Sequence, residues 1–98
     1  MLIDVKAMQR SRFEIRADIL YQIKNGVDLP TRIMYTVNCN WGQLVSYLDE
    51  FVERGLVEYS VPVGDVRNKK RYRITEKGED VLRCLSEVRR LVGIESVI

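Results

Sequence analysis

Histidine is absent from this chain of 98 residues. That removes Ser-His-Asp and Cys-His catalysis and every HExxH metal site, since each needs an imidazole as base or ligand. There are two cysteines, Cys39 and Cys84, with no CxxC pair and no partner ligands. A structural zinc ion usually takes four nitrogen or sulfur ligands, so no metal is expected. The thiols read as two buried cysteines of a reducing compartment, although their spacing leaves a disulfide open. No glycine-rich phosphate loop occurs and no cofactor or small-molecule pocket is recognisable, so the residues give no support to an enzyme. No apolar run approaches the roughly 20 residues of a membrane span. The opening MLIDVKAMQR contains Asp4 and lacks a long apolar segment, so it does not read as a signal peptide. A cytoplasmic protein is expected. An excess of either charge is lacking too. The net charge is only +2, so any pull on a polyanion must come from where the charges sit.

What is present is organised around residues 31–58, TRIMYTVNCNWGQLVSYLDEFVERGLVE. The pattern predicts two helices joined by a tight turn, then the start of a strand. The first is short. Pro30 favours a helix start, Thr31 is placed to cap it, and Ile33, Met34 and Val37 form its inner side. Asn38 suits the turn because asparagine tolerates left-handed backbone. The second helix begins near Asn40 and stops at Arg54, with Gly55 beyond it. Asn40 can cap it, and Gln43 can reach back in a variant of the capping box. Trp41, Leu44, Val45, Leu48, Phe51 and Val52 fall on one apolar stripe, which favours core packing for Trp41 over stacking on DNA. This is the pattern of a helix-turn-helix.

An earlier helix starts at Ser11, which with Glu14 makes an S-x-x-E box. Ile15, Ile19, Leu20 and Ile23 form its apolar stripe, and Asn25-Gly26 ends it. Lys6, Arg10, Arg12 and Arg16 cluster at its start, where positive charge opposes the helix dipole; either they touch phosphate or they are simply solvated. Leu2, Ile3 and Val5 could form a short strand or pack on a neighbour. After Gly55 the period changes. Leu56 to Val63 predicts a strand, Gly64-Asp65 a turn, and Arg71 to Ile74 a returning strand with Tyr72 and Ile74 on one face. Between them VRNKKRYR, residues 66–73, is the densest basic segment. A basic hairpin tip directly after a helix-turn-helix makes a wing, although lysines also protect exposed strand edges from pairing.

Thr75 caps a last helix from Glu76 to Val92. Val81, Leu85, Val88 and Val92 form a seam at coiled-coil spacing, broadened by Leu82 and Leu91. The seam either joins two copies or packs within the chain. The fold expected is mainly α with a small β-hairpin. It is a winged helix-turn-helix over residues 1–75 with an extra C-terminal helix over residues 76–98.

The series T-R-I-M-Y from Thr31, W-x-Q-L-x-x-Y-L from Trp41, G-L-V-E from Gly55 and Y-R-I-T-E-K-G from Tyr72 resembles the small archaeal winged-helix DNA-binding proteins. That group includes transcription regulators and dimeric chromatin proteins of the Sulfolobus 10a type. The resemblance covers about Arg10 to Leu91. It implies binding of double-stranded DNA by recognition helix and wing, a nucleoid-associated location, and a homodimer through the last helix. Two departures stand out. Trp41 replaces the usual tyrosine, and the last helix ends soon after Gly93, shorter than the rod of the chromatin members. A regulator is therefore favoured over a chromatin architect.

The residues expected at DNA follow from the helical wheel. Gly42, Gln43, Ser46 and Tyr47 occupy the first two turns, which normally reach base edges. Gly42 would let the backbone approach closely. Gln43 can read adenine or merely cap, and Ser46 can bond a base or a phosphate. Tyr47 either packs or touches phosphate. Thr31 and Arg32 are placed for phosphate at a helix start. In the wing, Arg67, Asn68 and Lys69 are the safer choices, with Lys70 and Arg71 beside them; neighbours on a strand face opposite sides. Asp49, Glu50 and Glu53 speak against a groove-bound helix unless they point to solvent or pair with Arg54 or the wing. Two other functions remain open: a protein-docking module using that acidic face, and nonspecific DNA packaging.

Overall fold

The computed structural model describes residues 11–93. In chain order these form α1 (Arg12–Lys24), α2 (Pro30–Val37), α3 (Trp41–Glu53), β1 (Val57–Ser60), β2 (Arg71–Ile74) and α4 (Glu76–Leu91). The expectations for Leu2, Ile3, Val5, Lys6 and Arg10 lie outside the described residues.

The helix ends obey local chemistry. Ser11 Oγ accepts from the Glu14 amide at 3.0 Å, and the Glu14 carboxylate accepts from the Ser11 amide at 3.1 Å. Such a cap stabilises a helix by about 1 kcal/mol. Asn40 and Gln43 make the same reciprocal pair at the start of α3, at 2.8 and 3.4 Å. Asn38 closes α2 in the left-handed conformation, with φ of 64°. One cap differs from expectation. Helix α2 begins at Pro30, with Leu29 in the cap position and no side-chain cap, so Thr31 lies inside the first turn. Proline has φ already fixed and no amide to satisfy, and it takes the first helical place.

Helix α1 packs against α2, α4 and β2, while α3 packs against α2 and β1. Ile19 from α1, Ile33 from α2 and Leu44 from α3 meet at the centre with no solvent exposure. Burying one such side chain contributes about 1.5–3 kcal/mol. The strands pair antiparallel, Val57 opposite Ile74 and Tyr59 opposite Tyr72. Strand β1 ends at Ser60 rather than Val63. Pro62 has no amide for the ladder, and Val61 and Val63 are exposed.

The Y-R-I-T-E-K-G segment acts as a latch. The Thr75 amide donates to Leu56 O at 3.0 Å. The Thr75 hydroxyl accepts from the Gly78 amide at 3.0 Å, and lies 2.6 Å from Gly55 O and 2.9 Å from Leu56 O, one of which takes its proton. Lys77 Nζ reaches Arg54 O at 2.9 Å, satisfying a carbonyl at the end of α3. Gly78 lies against the Leu56 carbonyl, with no room for a Cβ. The motif ties α4 to the α3–β1 corner.

Two further expectations are corrected. Cys84 is exposed and Cys39 half-buried, and no disulfide joins them. Position 84 lies on the outer side of α4, whose inner side is held by Leu82. Trp41 is 50 % exposed. It is the first residue of α3, and its side chain lines an open cleft instead of entering the core as Leu44 does.

Candidate nucleic-acid interface

A cleft of about 380 Å³ brings together parts of the chain distant in sequence. Thr31 at the start of α2, Trp41, Val45 and Asp49 of α3, and Arg67, Asn68, Lys69 and Lys70 of the wing all line it. The wing tip is held by local bonds. Asp65 Oδ1 accepts from the Arg67 amide at 2.9 Å, and Asp65 O accepts from the Asn68 amide at 3.1 Å. Asn68 adopts φ of 53°, a geometry asparagine tolerates.

The basic residues divide by what they already touch. Among the described residues, the side chains of Arg32, Arg67 and Lys69 have no acidic partner and are exposed. Lys70 Nζ lies 4.4 Å from the centre of the Tyr59 ring, which stacks at a tilt on Tyr72. Arg71 pairs with Asp28 at 3.1 Å, while the Tyr72 amide bonds Asp28 O at 2.9 Å, so this pair fastens the wing to the α1–α2 linker. Arg73 pairs with Glu58 across the hairpin at 2.6 Å. Burial raises the Tyr72 phenol above its usual pKa, helped by the Asp49 carboxylate and by Tyr59.

On α3, Gly42 and Ser46 are exposed and Gln43 is half-buried. The Gln43 carbonyl is committed to the Asn40 amide, which leaves its NH₂ group for another acceptor. Of the two readings of Tyr47, the structure takes packing. It is 7 % exposed, with the Arg16 guanidinium 4.6 Å over its ring, so it is not a surface contact. A helical wheel shows the flank but not the neighbour, and α1 supplies that neighbour. Arg16 also pairs with Glu50 at 3.1 Å, and Arg54 approaches Glu50 at 3.5 Å. The acidity of α3 is therefore partly neutralised by its own fold, leaving Asp49 and Glu53 exposed.

The α4 seam splits. Leu82 is buried, and Val81 and Leu85 lean half-buried on the core. Val88, Leu91 and Val92 are exposed. Sequence reasoning missed the exposure of Trp41 and Val45 on the cleft. The departure from tyrosine at position 41 was the one signal that could have drawn attention there.

Among the described residues no cluster of three His, Cys, Asp or Glu side chains could hold a metal. No described helix is long and apolar enough to cross a membrane.

The winged helix-turn-helix family profile matches residues 9–93. An uncharacterised protein of Methanocaldococcus jannaschii is 32 % identical over 80 residues, covering 82 % of this chain and 74 % of its own. Sso10a-2, a DNA-binding protein from Sulfolobus solfataricus, superposes with a TM-score of 0.68 at 28 % identity, over 86 % of this chain and 83 % of that one. A cysteine-to-serine variant of MarR from E. coli, in complex with operator DNA, gives 0.64 at 23 % identity, over 80 % of this chain and 54 % of that one. At that identity the likeness is one of fold. Element order, the hairpin after α3, and a profile match across nearly the whole chain agree: this chain belongs to the winged helix-turn-helix family.

Proposed function

We propose that this protein binds double-stranded DNA as a non-catalytic, dimeric transcriptional regulator. One observation carries the reading: Trp41 and Val45 of α3, Thr31 of α2 and the wing cations Arg67, Lys69 and Lys70 line one cleft, with Gly42, Gln43 and Ser46 on the same two turns of α3 outside its lining. The start of α3 enters the major groove, where Gly42, Gln43 and Ser46 approach base edges. Thr31, Arg32, Arg67, Asn68 and Lys69 take backbone phosphates, and Lys70 adds charge from its seat on Tyr59. Arg71 holds the wing in place. The partial neutralisation of Glu50 supports the same reading, since it lowers the repulsion between α3 and phosphate. Sso10a-2 is itself a DNA-binding protein, and MarR binds operator DNA on the same fold. The exposed end of the α4 seam is the proposed dimer contact.

Binding of the intact chain to random and genomic duplexes across a salt series tests this. We expect affinity to fall steeply with salt and to differ between sequences. Equal affinity for all duplexes would instead make it a packaging protein. No binding at low salt would leave the acidic-face docking module.

A further inference from the structure

Trp41 and Val45 are apolar, exposed and one helical turn apart at the leading end of α3. They line the cleft with Leu48 and Tyr72 beneath them and the Asp49 carboxylate one turn further along α3, and Arg67, Lys69 and Lys70 line it from the wing. An apolar strip facing a cationic wall suits a partner that presents anionic and apolar groups side by side. A phosphate cannot use Trp41 or Val45, so the wall and the strip have different work. In the major groove the apolar group on a base edge is the C5-methyl of thymine, and the minor groove offers none. From these two side chains we infer that the protein reads thymine methyl groups, and so prefers A·T-containing sites. The inference rests on the DNA reading above and adds a methyl contact that the polar groups of Gln43 and Ser46 do not make.

The geometry fits such a role. Residues in the first two turns of a recognition helix are those that reach base edges. Trp41 is the first residue of α3 and Val45 lies in its second turn. Among the described residues the Trp41 indole N–H has no hydrogen-bond partner, so it can donate to an acceptor beside the methyl, such as thymine O4. The wing fixes the other wall. Asp28 holds Arg71, and the Asp65 turn sets the tip, so the cations opposite the apolar strip are positioned before DNA arrives.

The test compares a short alternating dA-dT duplex with the same duplex carrying deoxyuridine for thymidine. This removes the methyl groups and keeps the backbone charge and the pairing pattern. The expected result is tighter binding to the thymine duplex by about fourfold for each methyl contacted, the ratio that one buried carbon group supplies. Trp41→Ala and Val45→Ala, each verified as folded by its thermal midpoint, should bring the two affinities together. Equal binding of both duplexes by the unaltered chain overturns the inference while leaving DNA binding intact. A thymine preference that survives in both folded variants overturns the assignment to these residues. Failure to bind either duplex at low salt overturns the DNA reading itself and this inference with it.

Discussion

A methyl group added at Gly42 would meet only Asn40 Oδ1 at 3.4 Å, an ordinary contact. Added at Gly78 it would run into the Leu56 carbonyl and the Ile74 side chain. Both glycines are helical, so alanine should favour either helix by roughly 0.5–1 kcal/mol before packing is counted. We expect Gly42→Ala to raise the thermal midpoint by a few degrees and to weaken DNA binding, because the added carbon stands where the α3 backbone would meet the groove. Gly78→Ala should lose about 1–3 kcal/mol of stability through overpacking against backbone that cannot move aside. Thermal melts and binding isotherms on the two variants separate the roles; undiminished affinity in Gly42→Ala would remove Gly42 from the interface. Residues of this kind mark how far the sequence could be read. The boxes at Ser11–Glu14 and Asn40–Gln43, and the left-handed Asn38, were legible because each is satisfied within three or four residues. Tyr47, Trp41 and Cys84 were not, because their exposure depends on which distant element covers them. Arg16 of α1 covers Tyr47, while Trp41 faces the open cleft between α3 and the wing.

The wing was legible as an element and opaque in detail. Alternation and turn residues gave two strands with a basic tip, and Arg71–Ile74 forms β2 as expected. Which cations remain available depends on Asp28, Glu58 and Tyr59, residues that sequence alone does not place beside them. The division has a measurable consequence. Arg67→Glu with Lys69→Glu should weaken DNA binding and lower the salt slope by about two, one for each lost phosphate contact, with an unchanged melt. Arg71→Glu should instead set a carboxylate against Asp28 and lower the melting temperature, because it frees the wing from the α1–α2 linker. A half-exposed pair of this kind is worth only about 0.2–1 kcal/mol, so the shift should be a few degrees. If Arg71→Glu melted normally while losing all affinity, Arg71 would be a DNA contact and its bond to Asp28 incidental.

At the scale of the whole molecule, α4 has two different tasks along its length. Its early turns hold Leu82 in the core and lean Val81 and Leu85 on it, beside the Thr75 latch. Its last turns carry Val88, Leu91 and Val92 into solvent. Heptad-like spacing in the sequence revealed one continuous seam but could not say where the chain's own core stops using it. Among the described residues the exposed part is short, so a dimer built on Val88, Leu91 and Val92 alone would bury less than the roughly 1,200 Å² of a stable protein interface. The association should therefore be weak and depend on concentration. We expect the mass of the intact chain to rise from monomer toward dimer across a micromolar concentration series. Val88→Asp with Leu91→Asp should hold it at the monomer mass without lowering the melting temperature at high dilution. On DNA the same pair of changes should abolish any preference for two half-sites spaced one helical turn apart, about 34–36 Å, while leaving single-site binding in place. A monomer mass at every concentration and on DNA would return the whole seam to the fold of one chain.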